Sequence, residues 1–227
     1  NLTFYLLQCR PQSSLREEAT QPVPADLAAT NRIFIATQMV PNGHVSNITQ
    51  LIYVDPLNYS NLAEQRKQEV ARIIGRLNHE LKLKGQDFIM IGPGRWGSAN
   101  LELGVPVTYA DIYNSRALVE LAFEQSGITP EPSYGTHFFQ DLVEAQIYPL
   151  AVYPEKAGDY LNQEFLDHAL NHLGAWLPDD NAFSDCIKVI NIDTERAGHQ
   201  LKISMNGERA LAYLTKTEQL STASDER

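Results

Sequence analysis

The sequence has few cysteines and no long apolar run, and each shortage excludes a class of protein. Only Cys9 and Cys186 occur in 227 residues, and neither has CxxC or Cys/His spacing. A disulfide framework and a structural zinc site are therefore excluded. No stretch reaches the ~18 uninterrupted apolar residues of a membrane span, and no basic-then-apolar signal segment opens the chain. We predict a cytoplasmic protein without a membrane partner.

Positive charge is also scarce. Lysine and arginine number 18 against 28 aspartates and glutamates, for a net charge of −10. Such a chain repels a polyanionic backbone unless it has a concentrated basic face. Basic residues gather between Arg66 and Lys84, but they alternate with glutamates in the manner of a solvated helix face. We therefore predict no nucleic-acid partner.

Composition divides the chain into four parts. It lacks an initiator methionine and opens inside an apolar run, which suggests that it continues a longer protein. Residues 1–14 are predicted to be the last strand of an upstream domain, and the proline-rich residues 15–31 a linker. Residues 32–214 form the predicted C-terminal domain, and residues 215–227 a flexible polar tail.

Mixed strand and helix patterns predict an α/β (α+β) domain with a mixed sheet, antiparallel hairpins and flanking helices. Asn42-Gly43, which tolerates positive φ, predicts a hairpin between the strands in "RIFIATQMV" and "SNITQLIYVDP". "CIKVINID" and "HQLKISMN" predict a second hairpin. Apolar spacings of three and four predict a helix from Ser60 to about Lys82, with a gap in its first turns, Ser60 as N-cap and Gly85 at its end.

Several shorter segments complete this prediction. "VPVTYADI" is predicted to be a strand, whereas "RALVELAF" fits a strand or a helix. "IYPLAVYP" is typical of an edge strand because proline interrupts it. "THFFQDLVEA", with Thr136 as N-cap, and Gln163 to Leu173 are predicted helices.

The glycine-rich string "FIMIGPGRWGS" is the first candidate site. Glycines leave backbone N–H groups uncovered, so Gly92, Gly94 and Gly97 could direct amides at an anion. Arg95 would add a bidentate charge and Ser98 a hydroxyl. The alternative is a tight crossover in which glycine permits positive φ and Trp96 packs as an anchor. The string matches neither the dinucleotide fingerprint nor the P-loop.

Histidines supply two further candidates. His137 lies in the first turn of a predicted helix, where an anion is favoured, and this suits a neutral nucleophile or a phosphoryl carrier. A simple capping role is the alternative. His168 and His172, four residues apart, would share one helix face as in metal sites, but no third ligand accompanies them, so a solvated pair is favoured.

Residues 1–12 carry a resemblance to a known family. "YLLQCRP" resembles the last ATP-grasp strand of pyruvate phosphate dikinase and phosphoenolpyruvate synthase, which has the form "LQxRP". The resemblance implies that Gln8 helps to hold the metal and triphosphate and that Arg10 grips phosphate, with ATP and Mg²⁺ as cofactors of the full-length protein. The acidic metal ligand expected upstream is missing from this chain. The chain alone is therefore expected to be inactive.

A longer resemblance covers about Ile33 to Leu214. "IGPGRWGSANLELGVPVTYADI" and "PEPSYGTHFFQDLVEAQIYPLAVYP" are similar to the C-terminal region of bacterial dikinase-like proteins with a PEP/pyruvate-binding domain. The swivelling-domain motif "TSHAAIVAR" and a pyruvate-binding barrel are absent from the sequence. Two hypotheses result. In one, the chain is a module of an ATP-dependent phosphotransferase in which the glycine loop binds a phosphate-bearing small molecule and His137 accepts a phosphoryl group. In the other, it is a non-catalytic docking or regulatory domain beside the upstream ATP-grasp domain.

Overall fold

The structure, a computed structural model, describes residues 27–123 and 137–217. Its strands are β1 (Arg32–Ala36), β2 (Asn42–Ile48), β3 (Gln50–Val54), β4 (Phe88–Pro93), β5 (Arg95–Trp96), β6 (Gly104–Val105), β7 (Ser115–Leu121), β8 (Tyr148–Val152), β9 (Tyr160–Leu161), β10 (Ile187–Asn191), β11 (His199–Asn206) and β12 (Ala210–Lys216). Its α-helices are α1 (Pro56–Ser60), α2 (Glu64–Leu83), α3 (His137–Glu144), α4 (Gln163–His168), α5 (Leu173–Trp176) and α6 (Ile192–Glu195). Short 3-10 helices span Ala29–Asn31, Tyr109–Asp111 and Pro178–Phe183. The predicted α/β class is confirmed.

One sheet is mixed, with strand order β10-β3-β4-β7-β8. β3, β4, β7 and β8 are parallel neighbours, and β10 runs antiparallel to β3. The apolar run from Phe88 to Ile91 lies at the centre and is buried throughout, as expected of a parallel strand covered on both faces. The carboxyl ends of four parallel strands therefore meet at one edge, where α/β proteins commonly bind ligands.

The other sheet is antiparallel throughout, with strand order β2-β11-β12-β1-β9. It packs face to face on the mixed sheet. Alternate residues of both sheets form one shared core, which includes Ile33, Ile203, Ile89, Val119 and Leu150. The other face of the mixed sheet packs on α2 and the loops beside it, through residues that include Met90, Leu118, Ile73 and Leu77. The chain thus forms three layers: antiparallel sheet, mixed sheet and helix.

The long helix α2 confirms the helix predicted from the apolar spacing, but its start differs. Ser60 ends the separate helix α1, whose N-cap is Asp55 accepting from the amide of Asn58 at 2.7 Å. Gly85, with φ 63°, follows the helix as predicted, and its amide donates to the carbonyl of Lys82 at 3.0 Å. Within the described ranges, no helix combines the length and apolarity needed to cross a bilayer.

Both predicted hairpins are wrong. β1 pairs with β12 and β9, whereas β2, which contains Asn42-Gly43, pairs with β11. Gly43 lies inside that strand, and a Cβ there would strike the Tyr148 hydroxyl, so close approach from the other sheet explains this glycine. β10 pairs with β3 in the mixed sheet, not with β11, because Ile187, Val189 and Ile190 are all buried there.

Other boundaries shift more modestly. "VPVTYADI" contains only the last residue of β6 and then a 3-10 helix, whereas "RALVELAF" forms the strand β7. β8 lies at the sheet edge, as its proline predicts. The helix predicted from Gln163 to Leu173 ends at His168. β12 continues to Lys216, so two residues assigned to the tail belong to the sheet.

Candidate functional site

The glycine loop lies at the carboxyl edge of the mixed sheet, where α/β proteins commonly bind ligands. β4 ends at Pro93, and the chain then forms β5 beside the parallel β6. The next parallel strand, β7, contributes Glu120, which is only 7% exposed. The loop is therefore enclosed between its own return segment and β7.

The expectation of uncovered amides in this loop is wrong. The amide of Gly94 donates to the carbonyl of Leu121 at 2.9 Å, and that of Arg95 to the carbonyl of Leu103 at 2.8 Å. The amide of Gly97 donates to the carbonyl of Val105 at 2.9 Å. These three amides already donate to carbonyl groups of the same chain, because hydrogen bonds join the loop to the edge of the sheet. They therefore do not form an anion site.

An internal carboxylate occupies the Trp96 amide as well. Trp96 N–H donates to Oε1 of Glu120 at 3.1 Å. The indole Nε1 of Trp96 donates to the carbonyl of Val119 at 3.1 Å, and the residue is 1% exposed. Trp96 is thus the packed anchor that the alternative interpretation of the loop described.

Each loop glycine has a steric reason. A Cβ at Gly92 would lie 2.7 Å from the Trp96 ring, and one at Gly94, where φ is 58°, would strike the carbonyl oxygen of Leu103. Gly97, with φ 78°, faces the ring of Phe138 at 2.8 Å from a built Cβ. Ser98 Oγ donates to the carbonyl of Asn100 at 2.9 Å, a local turn contact. Packing, together with the positive φ of Gly94 and Gly97, therefore accounts for these glycines.

Gln8 and Arg10, whose roles the resemblance implies, and the side chain of His137 fall beyond the described residues. His137 is the first residue of α3. Its neighbour Phe138 packs against Gly97, so the start of α3 lies beside the glycine loop. The phosphotransferase hypothesis, in which the glycine loop and His137 act together, requires this proximity.

His168 and His172 do not share a helix face. His168 is the last residue of α4, whereas His172 precedes α5 and its amide donates to the carbonyl of Val189. The intervening Asn171 turns the chain by hydrogen bonding to four backbone groups. Among the described residues, no three histidine, cysteine or acidic side chains form a metal-binding group.

The basic residues of α2 pack on another segment instead of forming a wholly solvated face. The Arg66 guanidinium lies 4.3 Å from the Phe183 ring centroid, and the Lys84 ammonium lies 4.3 Å from that of Trp176. Arg76 forms an ion pair with Asp180 at 2.6 Å. These contacts attach α2 to residues 173–183. Each adds a small amount to the free energy of unfolding, because the charged groups are partly exposed.

Sequence reasoning missed Lys67. This residue is 2% exposed, and its Nζ lies 2.6 Å from Oε1 of Glu102 in the loop that follows the glycines. The gap in the apolar spacing at the start of α2 could have revealed Lys67. This lysine occupies a buried position of the helix, one turn before Val70 and Ala71, where the spacing calls for an apolar residue. The Tyr59 ring lies 5.6 Å from the same ammonium.

Buried ionisable groups near Lys67 are held in their neutral forms. Burial, and secondarily the neighbouring Cys186 and Glu102, raises the pKa of the Tyr59 hydroxyl, which donates to the carbonyl of Gly104 at 2.9 Å. Burial and then the Asp55 carboxylate raise the pKa of the Cys186 thiol to about 12, with Arg66 opposing. Neither group is therefore ionised as a nucleophile near neutral pH.

Comparison of the chain with protein-family models, with curated proteins and with solved structures found no match.

Proposed function

We propose that this chain is the C-terminal module of a cytoplasmic, dikinase-like ATP-dependent phosphotransferase and that it serves there as a docking or regulatory domain. The observation that carries the docking role is the glycine loop, whose amides are occupied internally and whose glycines are required by packing. The resemblance of the two long sequence strings supports the parent class. In this proposal the upstream ATP-grasp domain binds ATP and Mg²⁺, with Gln8 and Arg10 completing that site.

A second candidate function keeps His137 as the phosphoryl acceptor of the same parent enzyme. One contact favours it: Phe138 packs against Gly97, which brings the first turn of α3 to the carboxyl edge of the parallel strands. That edge and a helix start are both favourable places for a phosphoryl group. In this candidate, the Nε2 or Nδ1 of His137 attacks the γ-phosphorus of ATP with ADP as the leaving group, or the β-phosphorus with AMP as the leaving group.

Calorimetry of this chain with ATP, AMP, inorganic phosphate and pyruvate tests the docking role. We expect no saturable binding that depends on Arg95. The matched control is Arg116→Ala, which removes a half-exposed arginine 4.0 Å from Asp87, away from the loop. Saturable binding that is lost in Arg95→Ala and retained in Arg116→Ala would refute the docking proposal.

Phosphoryl transfer is tested on the full-length protein. Incubation with γ- and β-labelled ATP, followed by detection of acid-labile protein label, separates the two candidates because a phosphohistidine is acid-labile. The docking role predicts label that is undiminished in His137→Ala and Arg95→Ala, or no label at all. Label that disappears in His137→Ala while the variant retains its thermal unfolding midpoint establishes the second candidate.

A further inference from the structure

Lys67 is the most deeply buried cation that the described ranges contain, and its position is unusual for a lysine. It lies in the first turn of α2, at the carboxyl edge of the mixed sheet, with 2% of its surface exposed. A buried ammonium requires an anionic partner, since removing a charge from water is costly. Here that partner is the Glu102 carboxylate at 2.6 Å.

Glu102 has the opposite character. Its side chain is 72% exposed although it bonds to a nearly inaccessible lysine. Its backbone is fixed separately, because its amide donates to Oδ1 of Asn100 at 3.0 Å. Rotation of the Glu102 side chain into solvent would therefore release the Lys67 ammonium from its ion pair without moving the loop.

The surroundings of Lys67 favour a charged ammonium, which requires an anion in place of Glu102 once that side chain leaves. The face of the Tyr59 ring flanks the ammonium, and the Tyr59 hydroxyl is fixed on the carbonyl of Gly104. The positive end of α2 lies beside it, since Lys67 is only the fourth residue of this 20-residue helix. No described side chain other than Glu102 forms an ion pair with Lys67.

We propose that Lys67 is an oxyanion-binding site that Glu102 occupies as an internal substitute, and that the phosphate group of a small molecule displaces the Glu102 carboxylate. Both anions make the same charge-assisted N–H···O bond to the ammonium. This inference does not depend on the phosphotransferase proposal, and it places the anion on α2, not on the glycine amides. The domain would thus bind a phosphate-bearing ligand at Lys67, and its own Glu102 carboxylate would compete with that ligand.

Removal of Glu102 tests the proposal with inorganic phosphate as the probe. In Glu102→Ala we expect at least tenfold tighter phosphate binding than in the wild type, by calorimetry at constant ionic strength. Phosphate at about ten times its Kd should raise the unfolding midpoint of this variant by roughly 3–5 °C. Sodium chloride at equal ionic strength should not.

Two controls identify the binding residue. Asp180→Ala removes the carboxylate from Arg76, whose side chain is 53% exposed, and should not create phosphate binding because that cation is already hydrated. The double variant Lys67→Met/Glu102→Ala should lose the binding gained in Glu102→Ala. If Glu102→Ala does not fold, Glu102→Gln carries the same test, with a several-fold gain expected.

Three results would overturn the proposal. The first is phosphate affinity that is equal in the wild type and in the folded Glu102 variant. The second is a gain that persists after Lys67→Met, and the third is an equal gain in Asp180→Ala.

Discussion

Replacement of Gly97 by alanine tests the packing role of the glycine loop most directly. Gly97 has φ 78°, in the left-handed region that side chains disfavour. A Cβ there would lie 2.8 Å from Cγ, 2.9 Å from Cδ1 and 3.0 Å from Cδ2 of Phe138. Real Cβ contacts are longer, so the ring or the loop must shift in the variant.

Two costs add in this substitution. The left-handed backbone costs about 1–2 kcal/mol for an alanine. Displacing the Phe138 ring, which packs against the helix-side core, costs about 1–3 kcal/mol by analogy with overpacked cores. We therefore expect Gly97→Ala to lower the free energy of unfolding by roughly 2–5 kcal/mol.

Gly198→Ala is the matched control. Gly198 has φ 68°, but a Cβ there would meet no atom within 4 Å, so only the backbone cost of about 1–2 kcal/mol applies. Equilibrium unfolding in urea, with the midpoint and slope fitted for each variant, measures the difference. Phe138→Ala combined with Gly97→Ala should show a favourable coupling of about 0.5–3 kcal/mol. Equal losses in Gly97→Ala and Gly198→Ala, with no coupling to Phe138, would refute the steric argument.

Two further predictions concern other parts of the fold. Asn171→Ala removes four side-chain hydrogen bonds to backbone groups at 2.9–3.0 Å, so we expect a loss of roughly 2–4 kcal/mol in urea unfolding, whereas a loss below 1 kcal/mol would contradict this role. Burial raises the Cys186 pKa from 9 to about 12, so between these values the folded state keeps a thiol proton that the unfolded chain loses. The stabilisation by the buried neutral thiol is therefore complete below pH 9 and is lost as the pH rises toward 12. In a Cys9→Ser background, alkylation of native Cys186 should therefore stay far slower than that of the urea-unfolded chain between pH 7 and 9, and equal rates would show that the thiol is accessible.

Much of the local structure was predictable because it depends on neighbouring residues. The spacing of Val70, Ile73 and Leu77 specifies α2, and Gly85 supplies the residue that ends it. The run from Phe88 to Ile91 specifies a buried strand by its composition alone. The position of the glycine loop directly after that strand follows from chain order. The hydrogen-bond partners of the loop, in contrast, do not follow from chain order.

The sequence could not predict strand partners, because pairing depends on contacts between residues far apart in the chain. Asn42-Gly43 has the local chemistry of a hairpin, yet it lies inside β2, which pairs with the distant strand β11 and not with β1. The predicted anion site in the glycine loop was wrong for the same reason, since it too depends on contacts between distant residues. Leu103, Leu121 and Val105 supply the carbonyls that occupy the loop amides, and they come from other segments.

By itself, the sequence determined the mixed α/β composition, the main helix, the central strand and the residues available for a site, since these depend on local spacing and side-chain type. Only the tertiary structure decided which sheet each strand joins, that the glycines accommodate packing, and that the buried Lys67 pairs with the exposed Glu102. Burial and hydrogen-bond satisfaction are properties of the assembled chain, because each requires groups that are distant in sequence to meet in space.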